Sequence, residues 1–421
     1  MISSSLHTAT KSRTFHTFVT MNFLQMALEQ AFGSVGISRP NPAVGAVVVK
    51  DGIVVGRGAT QSPGNAHAEV MALRDAGELA HGAAIYVTLE PCCHYGRTPP
   101  CTKAIIEAGI SEVYYAHADP NPAVRGKSCG ILEAAGIQVY EGRDACSRAE
   151  FEEWNTECSQ DGCMNLAAPW NHREGDTFAD IERFYEAYDY FVCNKGTFVE
   201  VKSAISENGF MGLRQANGKN APLKITGDGA NCWNHELRAM SDAVLVGSGT
   251  LLSDNPSLDV RYVRGHNPVK IIWAPTHKFS AEEVDRLKVF NAASSAKSLV
   301  YSGVEQPALS VDVCPLNPSG SFEENWAAML EDLYSRGMHR LMVEPGVGLA
   351  AKLLGLESGK AARRPLWNRL DLWKSTDVDL ESALDEQGQG LEFPGVPMGA
   401  IARESAMIGP DVLTVYYPAS L

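Results

Sequence analysis

Short β-branched runs alternate with amphipathic helical segments from Asn41 to Glu150, a rhythm that admits few folds other than a layered α/β domain. PNPAVGAVVVKDGIVVGRGAT reads as two strands joined at Lys50-Asp51-Gly52, where Asp-Gly between such runs signals a hairpin. Ahead of it, MNFLQMALEQAF sets Phe23, Leu24, Ala27, Leu28 and Ala31 at helical spacing. HAEVMALRDAG predicts a helix ended by Gly77, GAAIYVTLEP a buried strand stopped by Pro91, and PPCTKAIIEAG a helix closing at Gly109. ISEVYYAHA adds a strand, and GKSCGILEAAGIQVYEG a helix and a strand.

From Glu150 to Tyr190 the character changes to eleven acids against two arginines with little periodicity, read as an acidic linker or insertion in which Cys158 and Cys163 are incidental. Strand-rich α/β sequence resumes at TFVEVKSAIS and runs through SDAVLVGSGTLL, PVKIIWAP, AKSLVYSG and HRLMVEPG to DVLTVYY, a second domain. The expected division is a tail or targeting segment at 1–20, a first domain at 21–150, the acidic linker at 151–182 and a second domain at 183–421. The first 28 residues hold Lys11, Arg13 and many hydroxyls but no acid, which suits either an organelle transit peptide or a plain tail with Met21 opening the folded part.

With 421 residues, 45% of them hydrophobic, the chain can bury more than one core. A net charge of −14 makes nucleic acid or an anionic membrane a poor partner, and a small-molecule substrate the better one. It also argues against a nucleic-acid deaminase, which needs basic stripes with interleaved aromatics. No apolar run approaches the ~20 residues of a membrane span. Ten cysteines in a long chain with no secretory signal read as reduced cytoplasmic thiols.

PCCHYGRTPPC, Pro91 to Cys101, places three cysteines and a histidine in eleven residues. Cys92 and Cys93 are adjacent, so their side chains diverge, and no closed four-ligand zinc spacing is present. Upstream, His67-Ala68-Glu69 opens a helix. Residues two apart share no face of a regular helix, so they converge only at its mouth. Cys101 lies near another helix N-terminus, where the partial positive charge favours a thiolate, and Cys92 sits just past a strand end. One His and two Cys from separate elements leave zinc an open position for water, whose pKa there falls to about 7. A carboxylate beside the site that is not a ligand then shuttles protons to a leaving amine. This is the pattern of the zinc nucleobase deaminases, His-x-Glu then Pro-Cys and a second Cys, here with eight residues between Cys92 and Cys101 instead of the usual two. Taken singly, HAEV is an ordinary helix start and PCC…PPC a set of buried thiols; their joint order carries the reading. A purely structural zinc module would need Cys93 or His94 as a fourth ligand.

Together, PNPAVGAVVV, HAEV and TLEPCCHYGRTPPC closely resemble the deaminase half of the bifunctional riboflavin-biosynthesis deaminase/reductase family. The resemblance implies an N-terminal cytidine-deaminase-like three-layer α/β/α domain with His67, Cys92 and Cys101 as zinc ligands and Glu69 as the catalytic proton carrier. It makes Cys93 a bystander, turns His94 toward the substrate and sets Asn41 on the pyrimidine. RAMSDAVLVGSGTLLSDNPSLDVR and VEPGVGLAAKLL resemble the reductase half, a C-terminal dihydrofolate-reductase-like α/β domain. This second resemblance implies NADPH at Ala204, Lys224, Thr250, Asp254 and Gly346, and substrate at Arg238, Leu258, Arg261 and Glu344. Two arginines suit a ribose-phosphate tail, and a helix beginning near Gly346 suits cofactor phosphates. The implied reactions are deamination of 2,5-diamino-6-ribosylamino-4(3H)-pyrimidinone 5′-phosphate and NADPH-dependent reduction of its ribosyl chain to ribityl, in a homo-oligomer (dimer or tetramer).

The second half departs from the family pattern at SENG (Ser206–Gly209), at Lys224 in place of a commonly aromatic residue, and at Pro345, which removes a backbone N–H. ESGKAARRPLWNRLDLW is also more basic than the family's apolar strand. These departures motivate an alternative, an active deaminase joined to a non-catalytic reductase domain.

Overall fold

The computed structural model describes residues 19–148, 150–153, 176–215, 220–221, 224–291, 296–355, 365–379 and 388–419. The N-terminal tail, except its last residues, and the acidic segment around Cys158 and Cys163 lie outside the described residues.

Strand β1 (Val19–Asn22) leads into α1 (Phe23–Phe32), where the Asn22 side chain accepts the Leu24 N–H as an N-cap. The hairpin β2 (Gly45–Lys50) and β3 (Ile53–Ala59) turns at Asp51 (φ 51°) and Gly52 (φ 77°), both in the positive-φ region that a type I′ turn requires. Then come α2 (Ala68–Ala76), β4 (Ala84–Leu89), α3 (Cys101–Glu107), β5 (Glu112–His117), α4 (Ser128–Ala134) and β6 (Gln138–Glu141). The sheet order is β3-β2-β4-β5-β6, antiparallel through β4 and parallel beyond it. Gly58 is needed for packing, since a Cβ there would lie 2.2 Å from the Ala68 carbonyl oxygen. Its absence seats the first turn of α2, with His67 and Glu69, directly on the sheet. Helix α5 (Gly142–Arg148) and strand β7 (Glu150–Glu153), which pairs with β1, were not foreseen from the sequence.

Residues 177–182, read above as linker, are instead the opening of α6 (Thr177–Asn194), capped by Asp176. Ile181, Tyr185 and Tyr188 form an apolar stripe that packs into the core of the first sheet. The high acid content masked this periodicity.

The second half begins with β8 (Phe198–Ile205), β9 (Phe210–Gln215) and β10 (Asn220–Ala221). It continues with α7 (Asp228–Met240), β11 (Ala243–Gly247), α8 (Ser248–Asp254), β12 (Val269–Trp273), α9 (Ala281–Arg286), β13 (Ser298–Ser302) and β14 (Asp312–Pro315). It closes with α10 (Phe322–Ser335), β15 (Arg340–Val343), α11 (Val347–Leu353), β16 (Arg369–Ser375), β17 (Gly388–Glu392), β18 (Ile401–Ile408) and β19 (Asp411–Tyr417). A nine-stranded sheet runs β14-β13-β12-β11-β15-β8-β16-β19-β18, parallel except at β19 and β18, with apolar clusters on both faces. No described helix is long and apolar enough to cross a membrane.

The basic character near β16 has a structural use. Arg369 and Asp371 are fully buried and paired at 2.7 Å, and Glu200 on β8 holds Arg369 at 3.2 Å and also pairs with Arg340. Arg183 from α6 reaches Asp371 at 3.1 Å, so a buried network of alternating charge ties α6 to the large sheet.

On α7, Glu236 is buried and, among the described residues, neither of its oxygens has a hydrogen-bond partner. Burial pushes its carboxyl up from 4.5 to about 9, opposed only in part by Arg183. The folded chain therefore holds a proton that the unfolded chain releases above about pH 4.5, and stability falls as pH rises from there toward 9. Glu236→Gln, neutral and isosteric, is expected to raise the melting temperature by an increment that grows across this window and vanishes below about pH 5. The ceiling is about 1.4 kcal/mol per pH unit. Thermal melts of both proteins at pH 5, 7 and 8.5 check this; an increment independent of pH would remove the assignment.

Candidate active sites

His67 is the N-cap residue of α2, and Glu69 stands in that helix's first turn. Cys101 is the first residue of α3, and Cys92 lies just beyond the end of β4. The His67 Nδ1 atom is 3.5 Å from Cys92 Sγ and 3.3 Å from Cys101 Sγ, and the three donor atoms lie within 4.8 Å of one another. A tetrahedral ion with Zn–S near 2.3 Å and Zn–N near 2.0–2.1 Å has N···S edges of about 3.5 Å, so this donor set fits zinc. The Cys101 backbone N–H donates to Cys92 Sγ at 3.3 Å, and Thr98 Oγ1 lies 3.5 Å from His67 Nε2, orienting the imidazole from behind.

Hydrogen bonding from Cys101, together with contact to His67, lowers the Cys92 thiol to about 4. The Cys92 contact in turn raises His67 to about 9. A thiolate beside an imidazole is a donor pair that exchanges its proton for a divalent ion. Cys93 turns away, its Sγ 3.7 Å from the Ala123 carbonyl oxygen. Glu69 is 3% exposed, and burial followed by the Cys92 charge raises its carboxyl to about 7. A group titrating near neutrality can both take and give a proton there.

His67, Glu69 and Cys92 open onto a cavity of about 340 Å³ that Asn41 and His94 also line. The structure thus brings together five of the six deaminase residues named from sequence around one cavity, with Cys101 buried behind it. The sequence reading missed the far wall. There Glu90 accepts from Gly126 N at 3.1 Å and from Ser128 Oγ at 2.7 Å, which fixes the loop carrying Asp119 and Asn121. Arg97, Thr98 and Tyr188 also line the cavity. The only sequence signal was Glu90 itself, a carboxylate ending an otherwise apolar strand.

In the second half, Arg238 on α7 and Glu344 after β15 form a two-pronged pair, Nε–Oε1 at 2.7 Å and Nη2–Oε2 at 2.9 Å. The third guanidinium nitrogen donates to the Asp259 carbonyl at 3.1 Å. Burial acts to raise Glu344, but Arg238 prevails and holds the carboxyl below its usual value. Three of the five Arg238 N–H groups are thus engaged within the protein, two of them by Glu344. Leu258, fully buried at φ 58°, and Arg261, whose N–H donates to His235 Nδ1 at 3.0 Å, flank the same end of α7. Lys202 on β8 faces Glu344 and Arg238, and burial lowers its pKa; the sequence reading passed it over.

Thr250 and Gly346 meet across the mouths of α8 and α11, where a Cβ on Gly346 would come 2.6 Å from Thr250 Oγ1. In the first turns of the two helices, a Cβ at Gly249 or Gly348 would meet nothing within 4 Å. Ala204 lies on β8 opposite Trp373, and Asp254 is exposed at the end of α8. Lys224 is 68% exposed and paired with Asp228 at 2.7 Å. SENG is the turn between β8 and β9, where Ser206 Oγ accepts from Phe210 N at 3.0 Å, a capping role.

Residues 19–117 match the sequence profile of the cytidine and deoxycytidylate deaminase zinc-binding region, and residues 197–356 that of the RibD C-terminal domain. A riboflavin biosynthesis protein RibD from Actinobacillus pleuropneumoniae is 32% identical over 410 residues, 96% of this chain and 97% of that one. The chain belongs to the RibD family. Another RibD, from Corynebacterium ammoniagenes, is 33% identical over 78% of this chain and 80% of its own length. The match to the Aquifex aeolicus RibD is closer, 38% identity, but spans 61% of this chain and 62% of that protein. In structure, the chain resembles a Thermotoga maritima diaminohydroxyphosphoribosylaminopyrimidine deaminase/5-amino-6-(5-phosphoribosylamino)uracil reductase, with 28% identity, a TM-score of 0.65, and coverage of 94% of this chain and 97% of that one. As a RibD protein the chain joins a zinc-binding deaminase domain to a reductase domain and serves riboflavin biosynthesis.

Proposed function

We propose that the first site removes the exocyclic amine of 2,5-diamino-6-ribosylamino-4(3H)-pyrimidinone 5′-phosphate, and that the second reduces the ribosyl chain of the product with NADPH. The observation that carries this reading is the convergence of His67, Cys92 and Cys101 with the buried Glu69 on one cavity that Asn41 and His94 also line.

His67, Cys92 and Cys101 would hold zinc, which when bound supplies a water activated at neutral pH. Glu69, its carboxyl raised by burial, would take a proton from that water and deliver it to the departing amine. Asn41 and His94 orient the pyrimidine ring, and the Arg97 cation at the cavity rim suits the phosphate. At the second site Thr250 and Gly346 would hold the cofactor, whose nicotinamide supplies the hydride. Glu344, fixed by Arg238, and Lys202 meet the sugar, while Leu258 and Arg261 close that end of the crevice. Ala204 and Asp254 complete the proposed cofactor contacts. Lys224 would take part only if it left Asp228.

The departures at SENG and Lys224 fall on a turn and an exposed ion pair, and the Arg238–Glu344 pair is formed. Nothing favours an inactive reductase. On purified zinc-loaded protein given the diamino substrate and NADPH, ammonia release and NADPH oxidation are expected in equal amounts, with about one zinc per chain. Ammonia without NADPH oxidation would refute the reductase reading, and activity undiminished after zinc removal would refute the metal assignment.

A further inference from the structure

The deaminase cavity is not built by the residues ahead of the acidic segment alone. Tyr188, on α6 and beyond the acidic segment, lines it, and its hydroxyl faces Asp119. The Tyr188 ring packs on His339, the residue just before β15 of the large sheet, with ring centroids 5.3 Å apart. His339 Nε2 donates to the Pro40 carbonyl at 3.0 Å. Next to it, Gly337 (φ 71°) presses its backbone on Pro40, where a Cβ would come within 2.8 Å of the Pro40 ring. Two residues beyond Asn41, the Ala43 carbonyl accepts from the Tyr185 hydroxyl at 2.9 Å, again from α6. The segment Pro40-Asn41-Pro42-Ala43 is thus gripped at Pro40 by the large-sheet domain and at Ala43 by α6, and its central residues line the cavity.

Resting on the deaminase reading above, we propose that substrate binding for deamination is set by α6 and the large-sheet domain together, from beyond the acidic segment. Tyr188 forms a wall against the substrate, and His339 is a positioning residue that holds the Asn41 segment through the Pro40 carbonyl.

The physical grounds are reach and rigidity. Asn41 sits between two prolines on a connecting segment, and such segments are ordered by what packs against them. The geometry of a polar contact to a heterocycle must be held within fractions of an ångström to be useful. One imidazole hydrogen bond and one backbone contact from the large sheet supply that constraint at Pro40. Both lie outside the donor triad, so they bear on binding and leave the ion and Glu69 in place. Phe191 and Tyr188 enclose His339 from two sides, which keeps its ring from turning off the carbonyl.

The test uses the full-length zinc-loaded protein, with steady-state ammonia release measured for wild type, His339→Ala, His339→Gln, Tyr188→Phe and Tyr188→Ala. The KM for the diamino substrate is expected to rise about fivefold to tenfold in His339→Ala and Tyr188→Ala, with kcat within about twofold and zinc content unchanged. His339→Gln, which keeps an N–H donor, should recover most of the loss, and Tyr188→Phe, which removes only the hydroxyl, should show a smaller KM rise. Unchanged KM in Tyr188→Ala and in His339→Ala, with wild type active, would overturn the proposal. Wild type that released no ammonia would instead overturn the deaminase reading on which it rests.

Discussion

Glu69→Gln is expected to lower the rate of ammonia release by about 10²- to 10⁴-fold, the usual span for loss of a positioned proton carrier. Zinc content should be unchanged, because Glu69 is not among the three converging donors. KM should move little, because the side chain is 3% exposed and acts on a proton instead of anchoring the ring. The physical basis is a carboxyl held at the mouth of α2, two residues from His67, in surroundings that raise its proton affinity toward neutrality. An amide of the same shape keeps the packing and removes the proton traffic. Metal analysis with single-turnover ammonia release separates the two effects. Near-normal turnover by the zinc-loaded variant would end the assignment.

Arg238→Met is expected to abolish reduction, with at least about a hundredfold loss of NADPH oxidation, while ammonia release stays near wild type. Removing one member of a buried, two-pronged ion pair leaves the other charge uncompensated, at a cost of about 3–5 kcal/mol. Here the orphan is Glu344, whose carboxylate Arg238 keeps below its usual pKa against the pull of burial. Without the guanidinium Glu344 is expected to take up a proton or turn toward Lys202, and either change removes the carboxylate from the position proposed for it on the sugar. Preserved deamination in the same sample shows that the chain remains folded. Parallel loss of both activities would mean that Arg238 serves the fold and not the reductase site.

The short-range features of this chain were legible from its residues. The hairpin at Asp51-Gly52, the helix mouth at His67-Ala68-Glu69 and the helix start at Cys101 follow from local propensity, and each appears where the pattern put it. The donor triad could be named because its chemistry is rare and its order along the chain is informative. The acidic stretch hid α6, since an apolar stripe of Ile181, Tyr185 and Tyr188 is hard to see among acids whose side chains point elsewhere.

What only the tertiary structure decided is which distant groups meet. Arg238 and Glu344 are 106 residues apart and were both read as substrate contacts; the fold pairs them with each other. Asp119, Tyr188 and Lys202 carried no motif, yet they wall or face the two sites. Sequence periodicity reports which face of an element is apolar, because burial on one side repeats at the pitch of the helix or strand. A polar residue that is buried against a partner from another domain leaves no such period, since its environment is set by chain folding far from it and not by its neighbours along the backbone.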